Sequence, residues 1–277
     1  MRKKITVLLF LFLVVASVNY GSHQVYSQGL SIEPMEMDKI LDLDLPSIEP
    51  QSTPGSTSET FNHWYNEYLK DQKVGYRHEK RQTETLNGQN VISNLYESQL
   101  TLKRAESTIV LKDFVKMFET PDGKPLKFEY ETTGGQKHAS KIKGLFDGNT
   151  LKITSESYGN ITNSTIETDG TVAFPYSIDK LFAQNPMSSF EYKTILPSFG
   201  ASVINVSVEY VETAEKNILG EMKTLHKYKI NLENLPNVQI HEWRDDNGIL
   251  YISSSSLFNS RTVFSTEREA TREDNIS

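Results

Sequence analysis

From residue 64 onward, apolar and polar side chains alternate in one run after another, and turn residues punctuate the runs at regular spacing. A period of two is the mark of a strand with one buried face. Many such runs in succession confine the chain to an antiparallel β architecture. The first pair sets the pattern. Trp64 to Leu69 and Lys73 to His78 flank a polar tip, Lys70-Asp71-Gln72, and read as a β-hairpin. In its second arm Val74, Tyr76 and His78 share a face. Gly75 between them predicts a bulge or a close backbone approach.

The ladder continues. Asn90–Arg104 and Thr108–Glu119 read as strands, and Pro121-Asp122-Gly123 is a turn. Beyond it Leu126, Phe128 and Tyr130 face one way, and Lys127, Glu129 and Glu131 the other. Lys137–Phe146 and Leu151–Ser157 form a hairpin about Asp147-Gly148-Asn149, with Asn160–Thr168 as a third member. The pattern breaks at Phe174-Pro175-Tyr176. Ser177 to Ala183 fits a short helix capped by Ser177, with Asp179 in its first turn. Strands resume over 190–196, 201–213, 223–232, 238–243 and 249–255, and residues 265–272 read as a terminal helix or tail. The fold class predicted is mainly β: a single strongly curved antiparallel sheet, half-barrel-like, with one or two short helices. Two smaller β layers meeting near Pro175–Pro197 is the alternative.

Residues 1–27 read as a secretory signal. Arg2, Lys3 and Lys4 precede a nearly continuous apolar run, Ile5–Val18, and Val25-Tyr26-Ser27 supplies a cut site. The run is short for a membrane span, which needs about 20 residues, and nothing later in the sequence is apolar enough to span. Residues 28–60 are acidic and rich in Pro, Ser and Thr, with Ser-Ile-Glu-Pro at both 31–34 and 47–50. Such a segment reads as a disordered tether. Its one ordered pattern, Leu41-Asp42-Leu43-Asp44-Leu45, suits a strand added to a sheet edge or a docking contact with an envelope partner. Residues 61–277 form the β domain. An exported chain, periplasmic or extracellular, is the localisation these features predict.

Composition narrows function by exclusion. The 277 residues contain no cysteine, so disulfides, thiol catalysis and cysteine metal sites are out. The net charge of −7 falls to about −10 without Arg2, Lys3 and Lys4, which argues against nucleic acid and anionic membrane surfaces. No HExxH, GxSxG, SxxK, phosphate-binding or dinucleotide-binding motif occurs. No catalytic residue, metal ligand or cofactor is therefore assigned. The candidate ligand-binding residues are the hairpin aromatics Trp64, Tyr65 and Tyr76 with His78, against the plainer reading that they pack across strands.

Three stretches together carry a resemblance. They are His63-Trp64-Tyr65 followed by Lys73-Val74-Gly75-Tyr76 and His78; Phe174-Pro175-Tyr176 with Leu196-Pro197; and Trp243 with Asp246-Asn247-Gly248, then Ser265–Ala270. They resemble an exported β-rich region found in front of bacterial transglutaminase-like domains. The resemblance implies a curved sheet similar in outline to periplasmic lipoprotein-carrier half-barrels, and no catalytic residues here. The enzyme domain, with its cysteine nucleophile, is expected to be missing. The function expected is a non-catalytic cell-envelope module binding a lipid, another apolar ligand or a protein partner. The alternatives are an accessory subunit of a separately encoded envelope enzyme, and a hydrolase whose site is assembled across strands around a histidine.

Overall fold

The opening hairpin forms where the alternation places it. In the computed structural model, which describes residues 60–104, 107–134 and 138–272, β1 (Phe61–Leu69) and β2 (Gln72–Leu86) meet at Lys70 and Asp71. Both turn residues have positive φ, 48° and 64°. Two such residues in succession make a tight turn whose twist matches that of the strands. The register shifts between Glu67 and Tyr68, with Gly75 opposite Glu67. A Cβ at Gly75 would lie 1.8 Å from the Gln99 carbonyl oxygen. The close approach expected at this glycine is therefore one that no side chain permits.

From there β3 (Gln89–Arg104), β4 (Ser107–Glu119), β5 (Pro125–Gly134), β6 (His138–Asp147), β7 (Thr150–Ser157) and β8 (Asn160–Glu167) run as a meander. Helix α1 (Pro175–Gln184) then leads to a second meander: β9 (Phe190–Leu196), β10 (Ser202–Ile218), β11 (Glu221–Leu232), β12 (Ile240–Arg244), β13 (Leu250–Ser255) and β14 (Ser260–Ser265). Helix α2 (Glu267–Ala270) ends the described chain. β14 pairs antiparallel with β1, Tyr65 opposite Phe264. The two meanders thereby join into one 14-stranded antiparallel sheet, with β8 and β9 at its edges. The single curved sheet is what the alternation predicts, and a division into two β layers does not occur. Residues 1–59, which hold the signal and tether expectations, lie outside the described residues.

The sheet curls until its two ends meet. One apolar cluster contains Phe128, Ile142 and Leu151 of β5–β7 together with Ile195 of β9 and Ala201. The segment before α1 crosses this seam. Thr168 donates its N–H to the Asn149 carbonyl at 2.6 Å, and Ala173 donates to the Lys193 carbonyl at 2.8 Å.

Three local expectations change. The helix begins at Pro175 rather than Ser177, with Phe174 as a cap residue that offers no side-chain bond. Proline suits the first helical position, where its missing N–H is not needed. Asp179 consequently lies past the first turn. Second, β2 continues through Glu79–Leu86, beyond the His78 end expected for it. Third, β14 is a strand that the sequence reading does not contain.

Candidate functional site

Cross-strand register places the inner face. Arg81 stands opposite Asn94, Asn94 opposite Met117, and Met117 opposite Phe128. Paired residues share a face, so charged β2 side chains line the same concavity as the apolar core. The inner face thus divides into apolar ends and a charged middle, and α1 lies against both.

At one apolar end Ile204, Val206 and Val208 are 3%, 1% and 2% exposed, and the Phe182 ring of α1 packs on them. Phe182 meets Phe190 and Tyr228 edge-on, each at 5.0 Å. Beside this contact an open groove of about 810 Å³ runs between α1 and β9–β11, with Leu181, Tyr192, Val206, Leu232 and Pro236 in its lining. Its volume lies within the range of sites that hold small ligands. Burial, and then the Glu242 carboxylate, raise the Tyr192 phenol above its ordinary pKa. The hydroxyl therefore stays protonated at neutral pH.

The charged middle fixes α1 by directional bonds. Asp179 accepts from Arg81 Nη2 of β2 at 2.6 Å and from Arg244 Nη1 of β12 at 2.8 Å. One carboxylate on the helix thereby ties two strands separated by β1, β14 and β13. Arg81 Nε donates to Asn94 Oδ1 at 2.6 Å, and Asn94 Nδ2 to Glu119 Oε2 at 2.9 Å. Glu119 in turn caps the helix from β4. It accepts the N–H of Tyr176 at 2.9 Å, the N–H of Ser177 at 3.0 Å and the Ser177 hydroxyl. A carboxylate here satisfies exposed donors and complements the helix dipole. Ser177, expected to cap, is itself a donor to that cap. Burial pushes the Glu119 carboxyl up to about 7 against these bonds. Arg244 also stacks over Phe182 at 4.0 Å, its Nη1 donating to the Gly248 carbonyl at 2.6 Å. Gly248 has φ of 77°, and a Cβ there would sit 2.3 Å from the Asp179 carbonyl oxygen. This glycine lets the β12–β13 turn touch the helix.

A second, smaller cleft of about 140 Å³ opens in this region, lined by His63, Tyr65, Arg77, Glu79, Tyr96 and Asp179 among others. Arg77 Nε lies 3.2 Å from Glu79 and 3.7 Å from Glu67. Burial works to lower the Arg77 pKa, but the two carboxylates hold it above its ordinary value. Burial raises both glutamates and lowers His63. The space is enough for a few waters rather than a sizeable ligand.

The four residues singled out from the sequence separate. Trp64, Tyr76 and His78 share the outer face, where Trp64 stacks on His78 at 4.1 Å and lies 5.6 Å from Tyr76. His78 Nδ1 is 3.1 Å from Glu97 and Nε2 is 2.5 Å from Asn62. Tyr65 is on the inner face, donating to the Leu250 carbonyl at 3.1 Å. Of the four, Tyr65 lines the smaller cleft, and the other three line neither of the two cavities described.

Besides His78 with Glu97, histidine chemistry across strands has a second geometric candidate among the described residues. His226 Nδ1 is 2.7 Å from Thr213 Oγ1, and its Nε2 is 2.7 Å from Asp246 Oδ1. Thr213 also meets the Tyr210 hydroxyl at 2.9 Å. This chain spans the register shift between Tyr210 and Glu212 and lines neither cavity. It ties the β10–β11 pair to the turn after β12. Among the described residues no group of three or more His, Asp or Glu is placed to hold a metal ion.

The residues that organise the interior, Arg81, Glu119, Asp179 and Arg244, are absent from the sequence-based candidates. A signal was present: Arg77, Glu79 and Arg81 alternate on one strand face, as do Glu242 and Arg244.

No family model matches the chain, and no curated protein matches it. Among solved structures it is similar to a β-barrel-like protein of the domain of unknown function DUF1849 from Brucella abortus. The two share 11% identity at a TM-score of 0.53, over 75% of this chain and 96% of that one. At this identity the likeness shows the fold, barrel-like and β-rich, and the fold alone.

Proposed function

We propose that this chain is a non-catalytic binding module of the cell envelope that holds an apolar ligand, such as a lipid acyl chain, beside α1. One observation carries the reading: the open groove of about 810 Å³ with Leu181, Tyr192, Val206, Leu232 and Pro236 in its lining. The apolar part of the lining, from Leu181 to Pro236, offers a surface on which a chain of CH₂ groups gains about 0.8 kcal/mol per group on leaving water. Polar neighbours such as Lys193, Asn205 and Glu233 also line the groove and suit a ligand with one polar end. The barrel-like neighbour is consistent with a module of this outline. Export rests on the Met1–Ser27 signal pattern.

Native mass spectrometry of the protein purified from its own envelope tests the reading. A co-purifying small molecule, displaced one-for-one by an added long-chain fatty acid, is the expected result. A bare mass that takes up neither a fatty acid nor a neutral apolar dye contradicts it.

A further inference from the structure

The two edges of the sheet are finished differently. Along β9, Val172 forms a parallel bridge with Lys193, and Ala173 donates to the Lys193 carbonyl, so part of that edge is covered. Among the described residues nothing pairs with the outer edge of β8.

The β7–β8 hairpin shows which backbone groups this leaves. It turns on Tyr158 and Gly159, with φ of 53° and 76°. Ser157 stands opposite Asn160, and the register runs unshifted to Thr150 opposite Glu167. In a two-residue hairpin the flanking pair is hydrogen-bonded, and bonded and non-bonded pairs then alternate. The N–H and C=O groups of Asn160, Thr162, Ser164 and Ile166 therefore bond to β7. Those of Ile161, Asn163, Thr165 and Glu167 point away from the sheet. Natural edges are blunted by lysine, proline, bulges or a covering segment. Among the described residues β8 has none of these. Its sequence carries one charge, Glu167, at its end, on a chain whose net charge is −7, and Ile161 is 51% exposed.

We propose that β8 is a self-pairing edge, through which two copies of this chain join their sheets in an antiparallel β8–β8 ladder. The strand is complementary to itself. With the two-fold axis at Asn163, Asn163 faces its own copy and Ile161 faces Thr165 of the second copy, so outward-pointing groups meet outward-pointing groups. Like sheet faces also match, and Thr162 lies opposite Ser164 of the second copy, a pairing that strands favour. Glu167 falls opposite the uncharged Gly159 turn, so no like charges oppose. A single strand edge buries less than the ~1,200 Å² of a standard stable interface, so the dimer is weak and dissociates on dilution.

The alternation separates pairing from folding. Thr165→Pro deletes an N–H that points outward and leaves the β7 ladder intact, a placement that edge strands tolerate. Sedimentation velocity from micromolar to millimolar protein should show a monomer–dimer equilibrium for the wild-type chain. Thr165→Pro should weaken it at least tenfold with an unchanged β spectrum. Asn163→Lys sets two like charges across the axis and should weaken it as well, less so in high salt. If Thr165→Pro does not fold, Asn163→Lys decides alone. A wild-type chain that stays monomeric to millimolar concentration overturns the proposal, as does a dimer that Asn163→Lys leaves intact.

Discussion

The inner face of the sheet holds two kinds of interior. At its ends, Phe128, Ile142, Leu151, Val206 and Val208 close the curl mainly by apolar burial. Across its middle, Arg81, Asn94, Glu119, Asp179 and Arg244 form a chain of charge-assisted bonds. Burial is non-directional and accepts any well-filled arrangement. Buried charges are costly unless paired in one geometry. α1 touches both, with Phe182 in the apolar part and Asp179 in the charged part. The difference indicates a division of labour: apolar packing supplies the stability, and the charged middle fixes where the helix lies and hence the shape of the groove.

The comparison breaks most visibly at Asp179. Asp179→Ala leaves Arg81 and Arg244 buried without their shared carboxylate and should cost about 3–5 kcal/mol in urea unfolding. Replacing the ion cluster as a set, Asp179→Leu with Arg81→Met, Arg244→Met and Glu242→Leu, so that the Arg244 partner Glu242 is not left unpaired, should recover most of that stability. If the division of labour is right, this combined variant loses the defined helix position while keeping most of its resistance to urea. Phe128→Ala, at a side chain with no exposure, should cost about 3–5 kcal/mol as a cavity. That loss should be the same at every pH where the protein folds, unlike losses in the charged half.

A smaller effect sharpens the comparison by pH. The Glu119 carboxyl is raised from 4.5 to about 7 by burial, against bonds from Ser177 and Tyr176. A carboxyl that holds its proton more tightly when folded adds stability that is complete below its unfolded value. The contribution is lost as pH rises through the folded value. Between pH 4.5 and 7 this group should lower stability by up to about 3 kcal/mol. Unfolding midpoints across that range should decline less steeply in Glu119→Gln. Parallel profiles for the two proteins would remove Glu119 as the source. The smallest effect is expected on the outer face. His78→Ala loses its stack on Trp64 and its exposed contacts with Glu97 and Asn62, and should cost about 1 kcal/mol.

The same division explains what the sequence disclosed. Strands with an apolar inner face, such as Ile204–Tyr210 and Leu126–Tyr130, declare themselves by alternation, and so did the overall sheet. Residues Glu79–Leu86 of β2 did not, because their buried face carries Glu79 and Arg81, which read locally as a solvated segment. β14 is short, and only its pairing with β1 reveals its place. The Ser177 cap was misread because a carboxylate 58 positions away on β4 does the capping. Nothing near α1 in sequence announces it. The aromatic group at the first hairpin was legible as a cluster. Its division between two faces, with Tyr65 inside and Trp64, Tyr76 and His78 outside, follows from the pleat.

The central claim is that the groove beside α1 is a ligand site. It is tested most directly by titrating N-phenylnaphthylamine, a neutral apolar fluorophore, into the wild-type protein and Leu181→Glu. Leu181 is partly exposed on the helix, so a charge there enters the groove without unfolding the core. The account predicts saturable one-to-one binding by the wild type, loss of at least tenfold in affinity in Leu181→Glu, and no change in His78→Ala. Absence of wild-type binding, or binding that Leu181→Glu leaves untouched, would contradict it.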